Sequence, residues 1–356
     1  MIVIGVDPHK ATHTAAAVDR VTGQVVDDLT VPARQFGFVE LFAWAEAQGP
    51  ERLWALEYGR HLVGALERFL LAKGERCVRV PPKLMASERK TARTYSKSDT
   101  IDALAIARAA IREPDLPAGR FDGPEREIAV LVEHRDQLVG DHTRMMRRLR
   151  WLLHDLDPAL EPPARTLSQV ATIDRLNRRL AKLPQTAQVR VCRDLLRLMR
   201  DVVRRCEQLK AELAVLVGHH GKPLLEICGC GTLTAARLLG DVGDISRFKS
   251  DAQLASYAGV SPLDASSGKQ QRHRLNRRGN RKLNRALHFI AVTQMRVHPE
   301  AKAYFARRLA EGKTRREVMR AFKRLLIRSV YRALQQIAAT TPPTPIPGTA
   351  PLNCLT

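Results

Sequence analysis

The sequence predicts an α/β domain over residues 1–124 followed by a mainly all-α remainder. Three observations carry this. Short apolar runs alternate with helix-period segments before residue 124. Beyond about residue 125, apolar residues recur at alternating three- and four-residue steps over long stretches. Turn and breaker residues stand between the segments, among them Val21-Thr22-Gly23, Pro81-Pro82, Pro158, Pro162 and Pro163. A period of two marks a strand and a period of 3.6 a helix, so the change of spacing marks a change of architecture.

In chain order, residues 2–7 (Ile2-Val3-Ile4-Gly5-Val6-Asp7) form a strand, 14–19 a second, and 24–29 complete a meander after the turn at Gly23. Residues 36–47 place Phe38, Leu41, Phe42 and Ala45 on one helix face. Residues 53–57 (Leu53-Trp54-Ala55-Leu56-Glu57) form a strand. Residues 61–73 form a helix with Leu62, Ala65, Leu66, Phe69 and Leu70 inward, and 77–80 a strand stopped by Pro81-Pro82. A helix follows from Asp99 to Arg112. The order βββαβαβα is that of ribonuclease-H-like folds, in which an acidic site gathers at the ends of central strands.

The seam Ile128, Leu131, Arg135, Leu138, His142, Met145, Leu149, Leu152, Leu156 has heptad spacing, with Arg135 and His142 as polar breaks. A second seam runs through Val191, Leu195, Leu198, Val202, Cys206, Leu209, Leu213 and Leu216. Joined by a Pro-containing connection, the two predict a long antiparallel coiled coil, with a plain helical hairpin as the alternative. The expected domains are 1–124 catalytic, 125–218 coiled-coil hairpin, 219–338 helical, and a disordered Pro/Thr-rich tail over 339–356.

Fifty-nine Lys and Arg stand against 37 Asp and Glu, a net charge of +22. A chain this basic is expected to bind a polyanion with steep salt dependence. Arginine dominates, and its fork suits phosphate oxygens. No apolar run reaches the ~20 residues of a membrane span, and no signal peptide is read, so a cytoplasmic location is expected. The six cysteines lie outside any C-x-x-C pair and read as free thiols of a reducing compartment.

Asp7 and Glu57 each end an apolar strand. Asp99 and Asp102, three apart, share one helix face. Four such carboxylates predict a site for one or two Mg²⁺ ions, as phosphodiester chemistry requires. Three of them also have a simpler role available: Asp99 as a helix cap, Asp102 as a first-turn charge, Glu57 as a strand-end charge. Arg60, Lys90, Arg93 and Lys97 lie nearby in sequence and suit a phosphate backbone.

Two further constellations stand out. Residues 259–269 (Gly259-Val260-Ser261-Pro262-Leu263-Asp264-Ala265-Ser266-Ser267-Gly268-Lys269) precede Arg272, His273, Arg274, Arg277, Arg278, Arg281, Lys282 and Arg285. A serine beside dense positive charge is a candidate nucleophile for a phosphodiester, although a loop serine is also an ordinary polar residue or cap. Gly229 and Gly231 form a Gly-x-Gly turn that offers backbone N–H groups to phosphate, or serves as a plain turn between helices. A basic amphipathic stretch, with Arg307, Arg308, Lys313, Arg315, Arg316, Arg320, Lys323, Arg324 and Arg328 interleaved by Val318, Met319, Phe322, Leu325 and Leu326, completes the cationic set.

The chain resembles the DEDD-type insertion-sequence transposases, bridge-RNA-guided serine recombinases whose N-terminal domain is similar to RuvC. The matching segments are Ile4-Gly5-Val6-Asp7, Glu57, Lys97-Ser98-Asp99-Thr100-Ile101-Asp102-Ala103, Ile227-Cys228-Gly229-Cys230-Gly231, Phe248 with 254–262, Ser266-Ser267-Gly268 and Asn276-Arg277-Arg278-Gly279-Asn280-Arg281. After Glu57 the family often has a small residue and Thr-Gly, whereas this chain has Tyr58-Gly59-Arg60-His61. The resemblance implies that Asp7, Glu57, Asp99 and Asp102 bind Mg²⁺. It makes Ser267 (with Ser266 the fallback) the nucleophile that joins to DNA. It implies donor and target DNA, a structured guide RNA and a homo-oligomer, dimer to tetramer, as partners, with the serine of one subunit completing the acidic site of another. Lys97, Lys269, Arg272, Arg274, Arg277, Arg278, Arg281, Gly229 and Gly231 are the expected nucleic-acid contacts. The alternatives are a RuvC-like resolvase or nuclease in which water attacks, and a non-catalytic nucleic-acid scaffold.

Overall fold

The computed structural model describes residues 1–57, 59–82, 84, 99–113, 115–264, 273, 274, 276 and 279–340. Lys97, Ser266, Ser267, Lys269, Arg272, Arg277, Arg278 and the tail residues 341–356 lie outside these residues. The chain divides into two compact units, 1–122 and 123–342.

The first unit is a five-stranded mixed sheet with helices on both faces. Its strands are β1 (Ile2–Pro8), β2 (Thr12–Asp19), β3 (Val25–Pro32), β4 (Arg52–Glu57) and β5 (Cys77–Val80), in spatial order β3-β2-β1-β4-β5. β1 lies at the centre, antiparallel to β2 and parallel to β4. Both its faces are covered, which is why it reads as a continuous apolar run. Ile4 and Val6 point to one face, where α1 (Gln35–Ala47) and α2 (Arg60–Ala72) bury Phe38, Leu41, Leu66 and Leu70. Val3 points to the other, where α3 (Asp99–Arg112) supplies Ile106, Ala107 and Ala110.

Gly5 sets how closely α3 crosses β1. A Cβ there would overlap the backbone carbonyl of Ala103 and come within 2.9 Å of the Ala107 Cβ. The inward face of α2 differs from the sequence expectation. Ala65 is exposed, and Glu67 is buried instead. The reason is electrostatic: the Arg79 Nε on β5 donates to Glu67 Oε1 at 2.6 Å, so the carboxylate enters the interior already paired.

The second unit is helical apart from the two-residue strands β6 (Leu263–Asp264) and β7 (His273–Arg274). Two long helices, α4 (Pro124–Leu156) and α6 (Ala187–His220), run antiparallel. Ile128 and Val132 near the start of α4 share a core with Leu213 and Val217 near the end of α6, while Leu149 and Leu153 pack with Cys192 and Leu195. The connection holds a helix the sequence reading did not assign, α5 (Val170–Ala181), which buries Ile173, Leu176 and Leu180 against α4 and α6. Leu196 and Met199 are buried there, whereas Leu198, assigned to the seam, is 55% exposed.

The remaining helices are α7 (Lys222–Leu225), α8 (Thr232–Val242), α9 (Asp251–Tyr257), α10 (Arg281–Val297), α11 (Pro299–Ala310) and α12 (Arg315–Thr340). They share one apolar core with the base of the long hairpin. Cys77, Cys192, Cys206, Cys228 and Cys230 are free thiols, and burial pushes that of Cys230 up to about 12. No helix among the described residues is long and apolar enough to cross a membrane.

Candidate metal centre and nucleic-acid elements

The acidic centre follows from strand alternation. Val3 and Gly5 face α3, so Asp7, two residues on, faces the same side. Gly5 is paired with Ala55 and Val6 with Leu56 across the parallel β1–β4 ladder. Ala55 also faces α3, so Glu57 emerges beside Asp7 at the strand ends. Ala103 of α3 lies over Gly5, which leaves Asp99 and Asp102, in the first turn, toward Asp7. The positive end of the helix dipole offsets part of the repulsion among these charges.

Asp7 is 5% exposed, and its Oδ2 has no hydrogen-bond partner among the described residues. Burial raises its pKa to about 6. His9 pulls it down, and the charges of Asp102, Glu57 and Asp99 push it up. All four predicted carboxylates therefore act on one locus. His9 is a member that the sequence reading missed. Its Nδ1 stands 3.8 Å from Asp7 Oδ2, and Asp7, His9 and Asp99 offer ligand atoms within 4.8 Å of one another. The available signal was alternation: residues 7 and 9 lie on the same side of an extended chain. A buried carboxylate oxygen without a donor, next to a second carboxylate and an imidazole, fits a divalent cation.

In the second unit the Gly-x-Gly turn is pressed onto α10. Gly229 adopts φ +82°, and a Cβ there would stand 2.9 Å from the Thr293 Cβ. Gln294 Nε2 donates to the Cys228 carbonyl at 2.7 Å. Gly231 is the N-cap of α8 and supplies no side-chain bond, so the first-turn N–H groups of that helix lack a side-chain cap. Arg281 is exposed at the start of α10, and Arg274 belongs to β7.

The segment carrying Ser266 and Ser267 is bounded by a closed frame. β6 and β7 pair Leu263 with Arg274 and Asp264 with His273. Behind them Gly279 touches Gly259 so closely that a Cβ on Gly279 would overlap the Gly259 backbone, and Gly259 itself adopts φ +68°. Asn284 Nδ2 donates to the carbonyls of Ala258 (3.0 Å) and Gly259 (2.9 Å), and the buried Lys323 Nζ donates to Asn284 Oδ1 at 2.6 Å. Lys323, read from sequence as part of the basic amphipathic stretch, is therefore an internal brace. Its burial and the charges of Arg320 and Arg281 hold its ammonium pKa below the ordinary lysine value.

An α/β unit with clustered carboxylates at its strand ends, joined in one chain to a basic helical unit, fits a protein that acts on nucleic acid. Comparison with known proteins agrees. A "Transposase" family profile of the DEDD IS110 type matches residues 4–158, and one described as "Transposase IS116/IS110/IS902 family" matches 221–306. The chain is 25% identical to the insertion element IS116 44.8 kDa protein of Streptomyces clavuligerus, with 98% of each chain covered. It is 24% identical to the insertion element IS900 42 kDa protein of Mycobacterium paratuberculosis, over 96% of this chain and 97% of that one. It is also 24% identical to the pilin gene-inverting protein of Moraxella bovis, over 94% and 95%. The chain belongs to the DEDD-type IS110 family of insertion-sequence transposases. Membership in that family implies an enzyme that cuts and rejoins DNA.

Proposed function

We propose that this protein moves an insertion sequence by serine recombination, with Mg²⁺ at a ribonuclease-H-like, RuvC-like centre. The observation that carries the reading is the buried Asp7 oxygen that accepts no hydrogen bond among the described residues, set among three further acidic charges and His9. Asp7, Glu57, Asp99 and Asp102 hold the ion, with His9 at the rim. The ion supplies electrostatic stabilisation of charge on phosphate oxygens. The hydroxyl of Ser267 attacks phosphorus. Its Oγ–P bond forms as one P–O bond of the strand breaks, the departing sugar oxygen takes up a proton, and the serine gives one up. Attack by a free DNA hydroxyl on the phosphoserine reverses the step, so the bond energy is conserved and no nucleotide triphosphate is consumed. Lys97, Lys269, Arg272, Arg274, Arg277, Arg278 and Arg281, with the Gly229–Gly231 turn, bind backbone phosphates.

The same reading treats the α4–α6 hairpin as a coiled coil used in assembly of two to four subunits. Sequence choice is delegated to a structured guide RNA that pairs with donor and target DNA. It keeps the three segments 1–124, 125–218 and 219–338 as functional domains, acting on the nucleoid in the cytoplasm. A pilin gene-inverting protein among the relatives supports strand exchange between two DNA sites.

The deciding experiment incubates the protein, carrying the RNA that co-purifies with it, with donor and target DNA and Mg²⁺, then denatures it and looks for DNA bound to protein. Wild type forms the adduct and Ser267→Ala does not, while Ser266→Ala retains it. DNA cutting by Ser267→Ala at the wild-type rate, without an adduct, selects the water-using nuclease instead. Sequencing RNA that co-purifies with the protein tests the guide: a discrete species encoded beside the gene is expected.

A further inference from the structure

Arg135 is one of the two polar breaks in the seam of α4, and the acidic centre makes no use of it. It lines a cavity of about 160 Å³ between α4, α8 and α10, together with Thr234, Lys282, Arg285 and Phe289. The floor of that cavity is a buried ion network. Arg237, 7% exposed, donates to Asp136 Oδ2 at 2.6 Å and to Asp241 Oδ1 at 3.0 Å, and reaches Glu133 at 3.5 Å. Lys282 pairs with Glu133, and Arg285 approaches Asp136 at 3.5 Å.

Four cations (Arg135, Arg237, Lys282, Arg285) thus meet three carboxylates (Glu133, Asp136, Asp241). The cation left over is Arg135. Its Nε is buried without a hydrogen-bond partner, and it forms no ion pair among the described residues. Its terminal guanidinium N–H groups are not buried with it and face the cavity that Arg135 lines, where an anion can accept from them. The volume admits a phosphate group and not a whole nucleotide. Phe289 forms one wall, and its ring is 55% exposed, with no packing role in the helical core. A phosphate-sized cationic cavity beside an outward-facing aromatic ring matches the repeat of a nucleic-acid strand, in which a planar base lies one bond network away from each phosphate.

The geometry points to a strand-binding site in which Arg135, with Arg285 and Lys282, takes a backbone phosphate and Phe289 stacks an unpaired base. The site goes beyond the proposed chemistry, since it binds nucleic acid away from the acidic centre and contacts no reacting group. It takes a single strand, a bulge or a splayed end rather than intact duplex, because a paired base cannot turn its face to Phe289. The seam break at Arg135 then has a purpose: the cation stands where the long hairpin meets the rest of its unit.

The test uses the full-length protein in EDTA, so that no DNA chemistry proceeds. Phe289→Trp places an indole at the wall, and its emission is read as the difference from wild type, whose tryptophans are unchanged. Titration uses a single-stranded DNA of about 12 nucleotides, the RNA of the same sequence and the DNA duplex. Quenching by a single strand, strongest for whichever of DNA or RNA is the natural strand, is expected, with little change for duplex. Phe289→Ala weakens single-strand binding roughly tenfold, and Tyr restores it. Arg135→Gln weakens binding and lowers the salt slope by about one. Unchanged emission at saturation, equal quenching by duplex, or undiminished affinity of Phe289→Ala overturns the site. Phe289 is exposed, so these variants fold, and equal thermal unfolding to wild type verifies it. Failure here leaves the Ser267 adduct untouched, and loss of that adduct leaves this site untouched.

Discussion

Asp7→Asn should stabilise the metal-free protein. The Asp7 carboxyl holds its proton up to about pH 6 in the folded chain, against 3.8 for the unperturbed group. Between those values the folded state binds more protons than the unfolded one. Stability therefore falls as pH rises through the window, and the penalty is complete above pH 6. At 1.36 kcal/mol per unit the shift sets a ceiling of about 3 kcal/mol, and partial hydration at the rim reduces it to roughly 1–2 kcal/mol. Asparagine keeps the shape and removes the charge. In EDTA at pH 8 the variant should unfold a few degrees above wild type, at about 2–4 °C per kcal/mol. Near pH 5 the gain should shrink by about half, because wild-type Asp7 is then mostly protonated. Millimolar Mg²⁺ should raise the wild-type midpoint and leave the variant nearly unmoved. Thermal unfolding followed through the buried Trp54 reads all three conditions. A variant that is no more stable than wild type at pH 8 without metal refutes the claim that burial, together with the neighbouring carboxylates, penalises the charge on Asp7.

Mg²⁺ or Mn²⁺ binding, followed by calorimetry, should weaken up to about tenfold per pH unit below pH 6, since the ion must displace the Asp7 proton; affinity that is flat from pH 8 to 5 would remove Asp7 from the ligand set. Gly5→Ala should cost about 3 kcal/mol or more by forcing α3 off β1, and any folded fraction should lose the Mg²⁺-induced rise in melting temperature, because Asp99 and Asp102 move with the helix. Arg237→Leu should destabilise the second unit by about 3–5 kcal/mol, as Asp136 and Asp241 are left without their main partner, and a melting curve like that of wild type would contradict this.

The sheet was legible from the chain alone because both faces of β1 are covered and its run of apolar residues has no polar interruption before Asp7. The strand-end carboxylates were legible for the same reason, since an abrupt acid after a buried run marks where the strand leaves the core. Glycines 5, 229, 259 and 279 stood inside recognisable motifs, but only the packing shows what each one lets approach. The helix at Val170–Ala181 was missed: Ile173, Leu176 and Leu180 have helical spacing, but their Pro-flanked, charged surroundings look like a connection until the two long helices offer them a surface.

Local spacing determined the element types, the change from sheet to helix, the basic character and the four acidic candidates, since those depend on neighbours along the chain. Tertiary structure alone decided that His9 joins Asp7, that Leu198 faces water while Leu196 and Met199 turn inward, and that Lys323 and Arg237 are internal cations. A heptad register fixes a face only to within one residue, and a third packed helix chooses among the neighbours. A charge goes inside only where partners from distant segments meet it, and that meeting is invisible in one dimension.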